Sequence, residues 1–296
     1  YDQSVSGATI LFPTNTLGRE YYSVNYKNWS NTNNSNCWFY VVAADTGTTT
    51  LEITPSGNTI GGWIAGTTYT VTLTQGQVYN VMGQMIATPF GCNPVCTGYD
   101  LTGSLIRSVN TGSGCKKIAV FSGSGRISIT CNNNQSSSDN YMVQAMPKTA
   151  WGKKYLTTPA NGNQANNIFR ICVTNPATVV RINGVVTTLP LLNGFYYEMP
   201  ATNQPQLIEA DSAIMVAQYF TSQNACGNGN PGDPEVIYLS AVEQNINKVL
   251  WNATPNWAIT SHNFNVVLPN SGTAVSSFTL DGAPLGGFIP HPQDPN

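Results

Sequence analysis

An all-β fold of tandem antiparallel β-sandwich modules is predicted by three observations on this 296-residue chain. Runs such as "TTTLEI" and "YTVTLT" alternate polar and apolar residues with period two. They are rich in Thr, Val, Ile and Tyr, which suit a half-buried pleated surface. Gly, Asn, Asp and Pro punctuate such runs at spacings of about 8 to 12 residues, as expected for short strands joined by turns. The third observation is that one series of strands is written more than once.

The series begins with "LGREYYSVN" (17–25) and continues through "FYVVAADTGTTTLEI" (39–53), "YTVTLTQGQVYNV" (69–81) and "SLIRSVNTGSGCKKIAVFSGS" (104–124). It starts again at "WGKKYLTTP" (151–159), followed by "IFRICVTNPATVVRI" (168–182), "VTTLPLLNGFYYEM" (186–199) and "QLIEADSAIMVAQYFTS" (206–222). A third opening, "FNVVLPNSGTAVSSFTLDG" (264–282), matches "FRICVTNPATVVRING" (169–184). A repeated core needs a repeated pattern of strands and turns, so the expectation is about two and a third copies of one unit.

Loops set the boundaries. "CNNNQSSSDN" (131–140) closes the first unit and "CGNGNPGDP" (226–234) the second. The units are therefore read as 1–140, 141–232 and a partial third over 233–296. The Pro-rich "LGGFIPHPQDPN" cannot be a central strand. A partial sandwich buries little, so the natural protein is expected to continue or to pack this edge on something else. A β-propeller is the alternative, but a blade of about 40–50 residues would have to fit two or three times into each unit. Val242, Ile246 and Val249 in "SAVEQNINKVLW" fit one helical face, so a short helix competes with strand there.

A hydrophobic content of 41% is enough to build cores, whereas the charged fraction of 9% is far below the roughly 25% of an average soluble protein. Solubility must come from Asn, Thr, Ser, Gln and Gly, a surface expected of a secreted protein. The net charge of −2 and 12 scattered Lys and Arg residues argue against nucleic acid. No apolar run approaches the roughly 20 residues that span a bilayer, so membrane insertion is not expected. The abrupt start at Tyr1, without a charged-then-apolar leader, is read as a mature or trimmed form.

The seven cysteines lack the paired spacings of a zinc site and are read as disulfides of an oxidising compartment. An odd count leaves one thiol over. Cys172, inside the apolar run "IFRICV", is the expected buried one. In "CKKIAVFSGSGRISITC" two alternating arms flank "SGSG". A hairpin about Gly123 would set Cys115 opposite Cys131. Cys92 and Cys96 in "CNPVC" form the second expected bridge.

Catalytic chemistry has little to stand on. His262 and His291 are distant from any nucleophile motif. Glu209 and Asp211 would share a strand face as a glycosidase pair could, but a solvated face is the better account of them. "GNGNPGDPE" offers oxygen donors for weak calcium binding without EF-hand spacing, so no cofactor is expected beyond that. Aromatic residues remain as ligand-binding candidates: Tyr26 and Trp29 in the polar "YKNWSNTNNSN", Trp63 in "IGGWIAG" and Trp257 in "TPNWAIT". They could stack on sugar rings or cap the end of their own sandwich.

The strings "GREYYSVNY", "VFSGS", "MVQAMPKTAWGKKY", "GDPEVIYLSAVEQNI" and "FNVVLPNSGTAVSSFTLDG" resemble the IgGFc-binding protein N-terminal family from about Gly18 to Pro290. That family occurs in mammalian mucus proteins and in very large surface proteins of Bacteroidota, including gliding-motility adhesins. The Asn/Thr/Gly-rich loops are closer to the bacterial branch. Many members carry a second Cys near the position of Asp139; here Cys131 stands alone, so the usual local bridge would be rearranged. The resemblance implies a non-enzymatic, extracellular cell-surface module that adheres to a glycan or a surface protein. Alternatives are a structural stalk that spaces or assembles further domains of the same protein or neighbouring subunits, and a glycan-processing enzyme.

Overall fold

The computed structural model describes residues 7–30, 35–86, 96–112, 114–131, 137–160, 166–229, 232–252 and 261–296. Nearly all regular structure is antiparallel β. The first half forms a sandwich of two four-stranded sheets. One contains β1 (Glu20–Tyr22), β4 (Thr48–Thr54), β5 (Tyr69–Thr74) and β9 (Leu105–Val109), in the order β1-β9-β4-β5. The other contains β3 (Cys37–Ala43), β6 (Val78–Met82), β10 (Ile118–Ile127) and β11 (Asp139–Gln144), in the order β11-β10-β3-β6. Alternation decides which side chains meet between the sheets. Leu51 and Ile53 face Phe39 and Val41 across the layer, and all four are inaccessible to solvent. Each contributes about 1.5–3 kcal/mol of apolar burial.

The second half contains β12 (Gly152–Thr157), β13 (Asn167–Val173), β14 (Val180–Ile182), β15 (Val185–Val186), β16 (Tyr196–Glu198), β17 (Gln206–Phe220) and β18 (Glu235–Tyr238). Its pairing follows the same scheme as the first half. β1 pairs with β9, and β12 with β17. β4 pairs with β5, and β14 with β15. β3 pairs with β6, and β13 with β16. β10 pairs with β11, and β17 with β18. Where the first half uses β9 and β10, the second uses β17 alone. The N-terminal part of β17 pairs with β12 and β14, and its C-terminal part with β13 and β18. This one strand therefore serves both layers. No ring of propeller blades closes among the described residues.

β13 is buried on both faces. Phe169, Ile171 and Val173 enter the core of the second sandwich, whereas Ile168 and Cys172 enter a third core between the two halves. That intervening core also takes Val24, Tyr141, Trp151, Tyr219 and Val236.

Short 3-10 turns lock the series together. The turn Thr14–Thr16 leads into Gly18, whose N–H donates to the Tyr21 hydroxyl (2.7 Å), which donates to the Ile118 carbonyl (2.9 Å). The turn Lys148–Ala150 leads likewise to Gly152, Tyr155 and the Ile214 carbonyl. Gly18 lies against Pro147, just before the second turn. Gly152 lies against Ala241, just before a third turn at Val242–Gln244. A Cβ on either glycine would overlap that neighbour.

Beyond the third turn the chain is extended or irregular, apart from the four-residue helix Ala274–Ser277 and the hairpin of β19 (Thr279–Leu280) and β20 (Ala283–Pro284). The helical alternative over Ser240–Trp251 is not adopted. Ile246 and Val249 are 72% and 68% exposed, so no apolar face is buried to hold a helix.

One bridge expected from the sequence is corrected. "SGSG" is not a turn: β10 runs straight through Gly123, which lets the Trp38 ring lie against the backbone. Cys115 and Cys131 therefore flank opposite ends of an extended strand. Cys131 is bonded to Cys226, and Cys115 is free and exposed.

Candidate binding face

The two halves differ most in two loops. In the second half β14 and β15 are joined by Asn183-Gly184, both at positive φ, the tight turn that suits a twisted hairpin. In the first half residues 55–68 make the same connection. β16 reaches β17 through residues 199–205, whereas β6 reaches β9 through 83–104, which carries β7 (Met85–Ile86) and β8 (Cys96–Gly98). β8 also pairs with β2 (Trp29–Ser30). The two enlarged loops meet. Gln84 N–H donates to the Asn58 carbonyl (2.7 Å) and Ile60 N–H to the Met82 carbonyl (3.0 Å). Enlargements confined to one copy of a scaffold commonly form its contact face.

These loops border a cleft of about 340 Å³ where the first half meets the second, with Ser56, Tyr99 and Asp100 on one side and Leu192, Asn193 and Glu198 on the other. Its floor is Arg170, which is 3% exposed. Arg170 Nε donates to Glu198 Oε2 (2.7 Å), and Nη1 to Asp100 Oδ2 (2.8 Å) and the Asn25 carbonyl (2.7 Å). The guanidinium also lies over Tyr26 and Tyr196, 4.6 and 4.4 Å from the ring centroids. Desolvation opposes its charge, but Asp100 foremost, and Glu198, more than compensate, so its pKa is well above the ordinary value. Asp100 is held in turn by Thr102, whose N–H (2.9 Å) and hydroxyl (2.6 Å) donate to Oδ1. The Tyr219 hydroxyl donates to the Asn25 carbonyl (2.8 Å), so the segment through Asn25 is clamped from the second half.

The aromatic candidates fall as follows. Tyr26 lines the cleft but is buried against Arg170 and Tyr219. Trp29 is half-buried in β2, opposite Thr97 of β8. Trp63 lies in the first enlarged loop, stacked on Tyr69 at 4.5 Å and against Tyr79 at 5.6 Å. Trp257 lies outside the described residues. The first three thus gather on or beside one end of the molecule, with much of their ring surface covered. The groups left in solvent there are mainly aliphatic: Ile60, Ile64 and Ile86 are 59%, 62% and 46% exposed, with the Tyr99 ring beside the cleft at 38%.

Glu209 and Asp211 sit where β17 passes between layers. Asp211 Oδ1 accepts from Val179 N–H (3.1 Å), and its carbonyl accepts from Lys153 Nζ (2.8 Å). Part of the "GNGNPGDPE" loop, residues 230–231, is outside the described residues, as are Cys92 and the Cys96 side chain. Cys131–Cys226 links the loop after β10 to the loop after β17, as befits an oxidising compartment. Cys172 is a buried free thiol, and so is Cys37; burial pushes the Cys172 thiol up to about 12. Sequence reasoning passed over Arg170 and Asp100. The available signal was a lone Arg inside the apolar run "IFRICV", which demands a buried counter-charge.

A protein-family model described as IgGFc binding protein matches residues 7–296. No significant match is found among curated proteins or solved structures.

Proposed function

We propose, on the premise that the chain belongs to the IgGFc binding protein family, that it is a non-enzymatic extracellular module of a larger adhesin-like surface protein and grips a protein partner with the enlarged loops of its first sandwich. The observation that carries this reading is the character of the exposed groups. Sugar recognition relies on open aromatic faces, whereas Tyr26 and Trp63 have theirs packed on Arg170, Tyr69 and Tyr79. Ile60, Ile64, Ile86 and Leu192 project there, with Tyr99 as an exposed ring among them, a mainly aliphatic surface as at a protein contact. The Cys131–Cys226 bridge supports an extracellular setting. Placement in the gliding-motility branch of Bacteroidota adhesins, and the division at about 1–140, 141–232 and 233–296, belong to the same proposal.

A second reading, a stalk unit, is favoured by the junction: a disulfide, a buried Arg and a continuous core fix one sandwich on the other. The two separate in a binding assay. The immobilised chain is exposed to IgG Fc, to extracellular glycoproteins before and after enzymatic deglycosylation, and to a glycan array. The expected result is capture of protein that survives deglycosylation and is abolished by Ile64→Asp with Ile86→Asp. Binding to free glycans, or loss of capture on deglycosylation, refutes the protein reading. No binding at all leaves the stalk.

A further inference from the structure

We propose that the cleft floored by Arg170 receives one neutral carboxamide, the side chain of a Gln or Asn on the protein partner; this rests on the reading of the enlarged loops as a protein contact. The argument starts from polar groups that the fold buries and does not pair. Arg170, Tyr26 and Tyr196 are 3%, 6% and 5% exposed, and all three line the cleft. Arg170 commits Nε to Glu198, and Nη1 to Asp100, Thr102 and the Asn25 carbonyl. Its Nη2 and the hydroxyls of Tyr26 and Tyr196 have no hydrogen-bond partner among the described residues, and none of these three atoms is sealed from water. Other tyrosines of similar burial use their hydroxyls on backbone carbonyls: Tyr21 on Ile118, Tyr155 on Ile214 and Tyr219 on Asn25. Buried polar groups are as a rule paired within the fold, so three left over around one cleft point to a partner from outside.

The charges around the cleft select the occupant. Arg170 and Lys27 are set against Asp100 and Glu198, two cations against two carboxylates. A carboxylate from the partner would be drawn to Arg170 and repelled by Asp100 and Glu198, and an ammonium would meet the reverse. A neutral group meets neither conflict.

The hydrogen-bonding demand is mixed as well. Arg170 Nη2 needs an acceptor. Glu198 uses Oε2 for Arg170 Nε, and its Oε1 has no donor among the described residues. A carboxamide carries a carbonyl oxygen and an NH2 on one planar group, so it answers Arg170 and Glu198 together, and the two hydroxyls can take either role. Around the mouth, Ile86, Leu192 and Tyr99 are exposed. Covered by the partner, they would exclude the water that competes for these bonds. A partner without the carboxamide would then leave Arg170 Nη2 and Glu198 Oε1 dehydrated and unpaired, which is how the cleft discriminates.

The test titrates the full chain with the N-acetyl N-methylamides of glutamine, glutamate and lysine, and with methyl glycosides, followed by heteronuclear NMR. Saturable binding of the glutamine derivative is expected, tighter than the other two by about fivefold or more, with shifts at Arg170 Nε–H and at the amides of Asp100 and Tyr196. Tyr26→Phe with Tyr196→Phe removes both hydroxyls and keeps both rings over the guanidinium. It weakens binding by about tenfold, yet keeps the melting temperature of the parent, because neither hydroxyl has an internal partner to lose. No binding, equal binding of the three derivatives, preference for the glutamate or lysine derivative or for a glycoside, or binding unchanged in the double variant overturns the proposal. The capture assay separates this from the protein reading. Protein capture that the double variant leaves at full strength removes the carboxamide site and keeps the loops as a protein contact. Selective glutamine binding without any captured protein keeps the site and removes that reading.

Discussion

Replacing Arg170 by Ala tests whether the two sandwiches are held by a buried charge cluster. Arg170 is sealed, whereas its partners keep some water: the side chains of Asp100 and Glu198 are 14% and 30% exposed. Removing one member of a buried ion pair costs about 3–5 kcal/mol, chiefly through the charge left behind. Glu198 can rehydrate, which places the ionic part near about 3 kcal/mol. Loss of the contacts with Tyr26 and Tyr196 adds about 1–2 kcal/mol. A chain of this length has an unfolding entropy of about 0.6 kcal/mol/K near its midpoint, so the sum of about 4–5 kcal/mol lowers the melting temperature by about 7 °C. Differential scanning calorimetry at neutral pH measures it. Adding Asp100→Asn to Arg170→Ala removes the stranded carboxylate and recovers part of the loss. A drop below about 2 °C for Arg170→Ala, or a double variant less stable than the single one, would show that the cluster does not hold the junction.

Two further outcomes concern thiols and pH. A non-reducing peptide map yields a linked pair containing Cys131 and Cys226. In the native chain Cys115 alkylates at once, and Cys37 and Cys172 only after unfolding. Cys226→Ser opens a 95-residue span and costs about 2–4 kcal/mol in chemical denaturation. Glu235, at the start of β18, is raised from 4.5 to about 7, chiefly by burial, with the Val236 N–H opposing and the nearby Asp139 carboxylate adding to the rise. The folded state therefore holds a proton that the unfolded chain releases near pH 4.5. Its contribution to stability is full below pH 4.5 and is lost as the pH rises toward and through 7. The melting temperature should fall between pH 5 and pH 8, and Glu235→Gln should flatten that slope. An unchanged slope in the variant would assign it to other groups.

Strand identity and order were legible because alternation is enforced wherever one face is buried. "TTTLEI" and "YTVTLT" read as strands and are β4 and β5, and the apolar run "IFRICV" is β13, which the structure buries on both faces. The hairpin expected at Gly123 failed for a local reason. Glycine there answers a close approach by Trp38, and glycine as spacer and glycine as turn are the same letter in a sequence. The partner of Cys131 was out of reach for a different reason, since contact with Cys226 depends on how one half packs on the other. The proposed contact face was only partly legible. Tyr26, Trp29 and Trp63 lie on or beside it, but the rings of Tyr26 and Trp63 are packed against neighbours. Ile60, Ile64 and Ile86, ordinary in a sequence, become notable only once nothing covers them.

The nesting of Pro147 on Gly18 and of Ala241 on Gly152 carries a rule about addition. Each berth exists because the residue two places after a turn lacks a side chain. After the third turn that residue is Ile246. A branched side chain stands there in place of the bare backbone that receives Pro147 and Ala241 at the first two turns, so the same close nesting is not available at the third, and Ile246→Gly is the change that would open it.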